Sequence, residues 1–189
     1  MDSQGDSRGT MSRNDTFRLA AGKAREIHNR SRILHPEISN DIGSTVDTIF
    51  ECDQTGLKLV RPETNLDTVR DGRGFISTYL PEDEIKEFNI VYFHPGMVRG
   101  MHYHPHFVEY SLVAAGTGMF VYRTNPEDEN SDESFVMSKG TCVRIPIGVV
   151  HTIYSITELT LVASLSRRWK DSDPPIVQVG AIPKPVDLS

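Results

Sequence analysis

The chain has 189 residues and a mass of 21.2 kDa, and 38% of it is apolar, which suits one domain with a single core. Twenty Lys and Arg stand against 26 Asp and Glu, a formal charge of −6 that argues against a nucleic-acid binder working by bulk electrostatics. Two cysteines, Cys52 and Cys142, are too few for a disulfide framework and match no zinc-binding spacing, which suits a reducing, cytoplasmic setting. Runs such as Leu159–Leu165 fall far short of the roughly 20 apolar residues a membrane span needs, and the polar first fifteen residues hold no apolar signal core.

Residues 1–16 have almost nothing to bury and read as a disordered leader, with Met11 as a second possible start. From Phe17, small or apolar residues recur at Ala20, Ala21, Ala24, Ile27, Ser31 and Leu34, with Asp15 or Thr16 as N-cap and Pro36 closing the run. This spacing predicts an amphipathic helix over 17–36, about five turns long. Residues 1–36 carry seven Lys and Arg and four acids, whereas the remainder carries 13 and 22, so the helix suits docking on an acidic body or a partner subunit.

Residues 37–189 read as a single all-β domain. Short alternating or apolar runs occur at 57–60, 75–80, 88–93, 107–114, 119–123, 134–137, 141–145, 151–156, 159–165 and 176–179, separated by turn residues, the pattern of a sandwich or barrel. The acidic stretch 125–133 reads as a solvated hairpin loop without Ca²⁺-loop spacing.

The histidines carry the chemistry. Of seven, His28 and His35 belong to the predicted helix, while His94, His102, His104 and His106 fall within thirteen residues. Side chains two apart on a strand share a face, so His102 and His104 point together into a cavity, with His106 displaced to the rim by Pro105. Glu109 on the returning chain offers a carboxylate to the same space, and the Pro146–Gly148 turn swings His151 inward.

The segments Gly96-X5-His102-X-His104-X4-Glu109-X6-Gly116 and Gly140-X5-Pro146-X-Gly148-X2-His151 resemble the two motifs of the cupin superfamily, with Ser155 where the second motif ends in Asn. The resemblance implies a jelly-roll barrel (a double-stranded β-helix) holding one metal ion through His102, His104, Glu109 and His151. Three imidazoles and a carboxylate suit Fe²⁺, Mn²⁺, Zn²⁺, Ni²⁺ or Cu²⁺ better than Mg²⁺ or Ca²⁺. It further implies a homodimer.

Within the cupins, Asp71-Gly72-Arg73-Gly74-Phe75, Arg99-Gly100-Met101-His102-Tyr103 and the late Ser172-Asp173-Pro174-Pro175 are similar to phrases of the dTDP-4-dehydrorhamnose 3,5-epimerase family of sugar-nucleotide enzymes. By that resemblance Arg73 and Arg99 bind the substrate's phosphates, as forked, permanently charged guanidinium groups do. This chain departs from the family in having His104 where a Gln stands and no Lys between Lys86 and Lys139. A bound metal can replace a missing cation beside a carbonyl, which leaves the base to His106, His94, Tyr110 or Tyr154. The expected function is therefore a metal-dependent epimerase or isomerase of a sugar or sugar nucleotide. The alternatives are an Fe-dependent oxygenase of a small organic substrate and a non-catalytic metal- or ligand-binding cupin.

Overall fold

The computed structural model describes residues 51–60, 62 and 76–186; the leader and helix expected over 1–36, and Arg73, lie outside them. Eleven strands form the described part: β1 Glu51–Cys52, β2 Leu57–Val60, β3 Glu87–Phe93, β4 Val98–Tyr103, β5 Glu109–Ala115, β6 Thr117–Arg123, β7 Asp132–Ser138, β8 Cys142–Ile145, β9 His151–Ser155, β10 Leu159–Leu165 and β11 Val177–Gln178. One 3₁₀ turn, Trp169–Asp171, is the only helical element among the described residues assigned to an element. The strands build two antiparallel sheets, β1-β2-β8-β5-β10-β3 and β11-β4-β9-β6-β7, packed as a jelly roll. The fold is all-β, as the sequence pattern requires.

Alternation decides which side chains fill the interior. In β10, Leu159, Leu161, Ala163 and Leu165 are buried while the residues between them are half-buried. With Phe120 and Met137 from the facing sheet and Val143 from β8, Leu159 and Leu161 make a core that reaches the histidines at Phe120 and Leu161. The chain crosses from β5 in one sheet to β6 in the other at Gly116, with φ +85° and space for no Cβ, since one would lie 1.9 Å from the Glu158 carbonyl oxygen.

Registers place the inward residues in rows. Glu109, Leu165 and Glu87 lie side by side across β5, β10 and β3, with Ser111, Ala163 and Asn89 in the next row. The third row is Val113, Leu161 and Val91. Polar groups and small side chains thus leave one end of the barrel hollow, and branched apolar groups close the other.

Two sequence expectations need correction. Of the run predicted over 75–80, the described residues 76–80 contain only an isolated bridge at Thr78. Instead this stretch straps the outside of the six-stranded sheet: Tyr79 donates its hydroxyl to the Gly140 carbonyl at 2.6 Å and packs, with Ile85, against Val108, Tyr110 and Cys142. The acidic loop is shorter than predicted because Asp132 and Glu133 begin β7. There Asp132 pairs with the buried Arg123 at 2.9 Å, and Glu133 accepts the Tyr122 hydroxyl.

Candidate active site

The hollow end is a cavity of about 620 Å³, within the range of small-molecule sites. Its lining follows strand parity: Glu87, Asn89, Val91 and Phe93 from β3, Glu109 and Ser111 from β5, His151 and Ile153 from β9, and Leu161, Ala163 and Leu165 from β10. From β4 come Arg99, Gly100 and His102, three residues apart at the extremes yet on one wall. A register shift between Gly100 and His102 explains this. Met101 sits at φ +56° and Gly100 at +122°, forming a bulge that inserts an extra residue and turns His102 back toward the interior, opposite His151. The Gln178 side chain of β11 closes over the bulge, its amide donating to the carbonyls of Met101 at 2.9 Å and Gly100 at 3.3 Å.

His102, His104 and His151 converge. Their ring centroids stand 5.0, 4.9 and 5.2 Å apart, and their nearest ligand atoms all lie within 4.8 Å of one another. Two of the rings are fixed. His104 directs Nδ1 at the Pro175 carbonyl (3.2 Å) and stacks on Phe107 at 4.4 Å, while His151 directs Nδ1 at the Val149 carbonyl (3.0 Å) and stacks on Phe120 at 5.8 Å. A carbonyl can only accept, so in the neutral rings Nδ1 carries the proton and Nε2 presents a lone pair. His102 makes no such carbonyl contact among the described residues.

At His104 that lone pair meets a carboxylate. Nε2 lies 2.9 Å from Glu109 Oε2 and makes no directed hydrogen bond, while Oε1 of the same carboxylate accepts the Ser111 hydroxyl at 2.6 Å. Two acceptors at this distance inside a protein need a positive charge between or beside them, a shared proton or a cation. The three-histidine set therefore fits a transition-metal ion, with His102, His104 and His151 as nitrogen ligands, while Glu109, expected as a fourth ligand, stands against His104 and outside that converging group.

The electrostatics follow from burial and from the neighbours. Burial first, then the charges of His151 and His104, push the His102 imidazole down to about 3, so it is neutral at physiological pH. Burial likewise lowers His151. Burial alone would raise Glu109, but the facing His104, the charge of His151 and the Ser111 hydroxyl overcome it and hold the carboxyl at about 2.

Of the residues predicted from sequence, the cavity brings together His102, His104, Glu109, His151 and Arg99, whose guanidinium lies 5.5 Å from the Phe93 ring centre. The predicted base donors are elsewhere. Tyr110 projects from the opposite face of β5, where its hydroxyl donates to Asp83 at 2.7 Å and accepts the Glu82 amide. Tyr154 packs with Met119, Ile156 and Val186 on the outer side of β9. His106 leaves the lining because β4 has ended at Tyr103, and its Nε2 contacts the Asp173 carbonyl at 3.1 Å. His94 is exposed, 3.5 Å from Glu158. Ser155, in place of the motif's Asn, ties the turn before β4 by donating to the carbonyls of His94 and Met97.

Sequence reasoning missed Glu87, Asn89, Ser111, Trp169 and Lys170, all of which line the cavity. The 3₁₀ turn brings Trp169 and Lys170 to the lining, anchored by the Trp169 amide donating to Glu87 Oε2 at 3.0 Å. Lys170 supplies a cationic group that the missing strand lysine does not.

Solved structures that share this fold include three enzymes of sugar-nucleotide chemistry. They are the dTDP-6-deoxy-D-glucose-3,5-epimerase RmlC of Legionella pneumophila in complex with dTDP-4-keto-L-rhamnose (18% identity over 66% of this chain and 74% of that one, TM-score 0.53), the dTDP-4-dehydrorhamnose 3,5-epimerase of Bacillus anthracis with TDP and pyrophosphate bound (18%, 70% and 83%, 0.56), and the 3'-monoepimerase ChmJ of Streptomyces bikiniensis in complex with dTDP-quinovose (21%, 66% and 69%, 0.55). At these identities the likeness establishes the fold. None of the curated proteins compared matches the chain. Residues 69–171, more than half of the chain and all of the cavity lining, match the polysaccharide biosynthesis C-terminal domain, and the chain belongs to that family.

Proposed function

We propose that the protein is a metal-dependent epimerase or isomerase acting on a sugar nucleotide. The observation that carries this reading is the convergence of three histidines in the same cavity that Arg99 and Lys170 line, so that a metal-type donor set and two cationic side chains share one volume. His102, His104 and His151 would hold the ion, with Glu109 beside them. A divalent ion held there acts as a Lewis acid toward a substrate carbonyl oxygen.

The chain's own residues do the rest. Arg99 and Lys170 bind the anionic part of the substrate, Phe93, Ile153 and Leu161 exclude water from the closed end, and Ser111 fixes the Glu109 carboxylate through its buried hydroxyl. The likeness to dTDP-sugar epimerases supports the substrate class, and the family's link to polysaccharide biosynthesis is consistent with it.

A second reading rests on one asymmetry: His102 lacks the carbonyl clamp that orients His104 and His151. Without a metal, its neutral ring offers a proton acceptor at the cavity wall whose basicity burial lowers and the Glu109 charge raises. Elemental analysis of purified protein, followed by titration of chelated protein with Fe²⁺, Mn²⁺, Zn²⁺, Ni²⁺ or Cu²⁺ on 4-keto-sugar nucleotides, separates the two. Turnover restored by metal supports the first, and full turnover of the chelated sample replaces it with the second.

We further propose a homodimer. Its support is β3, an edge strand whose outward residues Phe88, Ile90 and Tyr92 are 69%, 52% and 68% exposed and form a continuous apolar stripe. Antiparallel pairing of two β3 strands about Ile90 would set Phe88 against Tyr92 and cover both edges. The single-domain organisation over 37–189 and a cytoplasmic location are also part of this reading. No helix among the described residues is long and apolar enough to cross a membrane.

A further inference from the structure

The mouth of the cavity carries a polar arrangement that the metal-centred chemistry does not use. Glu87 and Asn89 point inward from β3 on the rows that hold Glu109 and Ser111, separated from them only by Leu165 and Ala163 of β10. The Glu87 carboxylate is braced at both oxygens: Oε1 accepts the Asn89 side-chain amide at 3.1 Å, and Oε2 accepts the Trp169 backbone N–H at 3.0 Å. Each oxygen keeps further acceptor capacity toward the cavity, and the Asn89 amide adds both donor and acceptor.

Beside them stands Trp169, 42% exposed although it lines a cavity. Its ring lies 6.1 Å from Phe107 and 6.5 Å from His104, so the indole is backed by another aromatic ring and is one ring-width from the histidine cluster. An anchored carboxylate, an amide and an exposed indole on one wall match a hydroxylated ring: hydroxyl groups pair with the carboxylate and amide, and the apolar C–H face lies on the indole. A phosphate is disfavoured at this spot because Glu87 would repel it, and the cationic groups Arg99 and Lys170 serve that part of the ligand.

We propose that Glu87, Asn89 and Trp169 form the shelf that recognises the pyranose ring of the substrate and holds it against the histidine cluster. This assignment rests on the sugar-nucleotide reading above. Trp169 and Lys170 are neighbours in one 3₁₀ turn, so the shelf and an anion contact are delivered by the same element, as a ligand with a ring joined to a phosphate requires.

Trp169 is the only tryptophan of the chain, so intrinsic fluorescence reports on the shelf directly. Purified full-length protein is titrated with UDP-glucose, dTDP-glucose and GDP-mannose, and with UDP, dTDP and GDP, following emission and, in parallel, calorimetric binding. At least one sugar nucleotide is expected to give a saturable emission change, with a much smaller change from its nucleoside diphosphate. Glu87→Gln and Asn89→Ala are expected to weaken the sugar nucleotide roughly tenfold while leaving the nucleoside diphosphate within about twofold.

Trp169→Phe should retain most of the affinity and Trp169→Ala should lose it, in variants whose Tm stays within about 3 °C of the parent. If a sugar nucleotide binds calorimetrically but emission is unchanged, the shelf is wrong and the sugar-nucleotide reading stands. An equal emission change from the nucleoside diphosphate alone puts the base on Trp169 and also overturns the shelf. If none of the six compounds binds, the sugar-nucleotide reading falls and takes the shelf with it.

Discussion

His104 Nε2 lies 2.9 Å from Glu109 Oε2, inside a protein wall, with His104 Nδ1 already engaged by the Pro175 carbonyl. The carboxylate therefore acts on the histidine cluster as a fixed negative charge. Glu109→Gln keeps the shape and removes that charge, and it should weaken Zn²⁺ or Co²⁺ binding about 10- to 100-fold in competition with a chromophoric chelator. Unchanged affinity would show that Glu109 only packs there.

The Gly100–Met101 bulge predicts a steep contrast between two glycines with positive φ. A Cβ at Gly100 would lie 2.6 Å from the His151 carbonyl oxygen and from the Thr152 Cα, whereas one at Gly148 would meet nothing within 4 Å. Gly148→Ala should cost about 1 kcal/mol for its left-handed backbone alone. Gly100→Ala should cost at least ~3 kcal/mol and separate His102 from His151, read as a loss of metal affinity and of Tm.

Tyr110 gives a test of where the catalytic groups lie. Its hydroxyl joins Asp83, which also accepts Arg144 Nε at 2.9 Å, on the outer face of the sheet. Tyr110→Phe should destabilise the fold by about 1–2 kcal/mol and leave turnover per folded molecule within about twofold, checked by urea unfolding and by assay. A large fall in kcat at unchanged stability would restore Tyr110 to the chemistry.

The same network sets a pH dependence. Burial would raise the Asp83 carboxyl, but the hydrogen bonds from Tyr110 and Arg144 and the charges of Arg144 and Lys58 hold it below its ordinary 3.8 in the folded chain. A group lowered in the folded state contributes its full stabilisation above the unfolded value and loses it as pH falls through the folded one. Urea midpoints should therefore drop below about pH 4, and Asp83→Asn should be less stable at neutral pH with a shallower acid limb.

On the outer side of β3, Ile90→Lys puts a charge in the middle of the apolar stripe. Sedimentation equilibrium should show a dimer for the parent chain and a monomer for this variant at micromolar concentration, with Tm changed by no more than about 3 °C in the monomer's own fold.

Much of this was legible from residue order alone. The cavity's histidines and Glu109 sit on two motifs whose spacing survives any strand-boundary error, and Leu159–Leu165 and Leu57–Val60 form strands at the limits read from sequence. What escaped did so for physical reasons. In Glu87–Phe93 the apolar residues Phe88, Ile90 and Tyr92 alternate with Glu87 and Asn89, and hydrophobicity assigns the first set to the interior. The chain does the reverse, because the interior there is a polar cavity and the exterior an apolar edge. Trp169 and Lys170 belong to a 3₁₀ turn whose place at the cavity depends on a distant carboxylate. Residue type alone offers Tyr110 and Tyr154 for chemistry, and strand parity sends both to the outer face, where they pack with Val108 and Cys142 and with Met119 and Ile156.

Strand β3 turns one set of side chains into the cavity and the other outward at a sheet edge with no paired strand among the described residues, so one strand serves both surfaces. If dimerisation steadies β3, it also steadies Glu87 and Asn89, and the free energy by which ligand favours the dimer equals that by which the dimer favours ligand. Dilution would then loosen substrate binding, and substrate would draw subunits together: a thermodynamic linkage written into a single seven-residue strand.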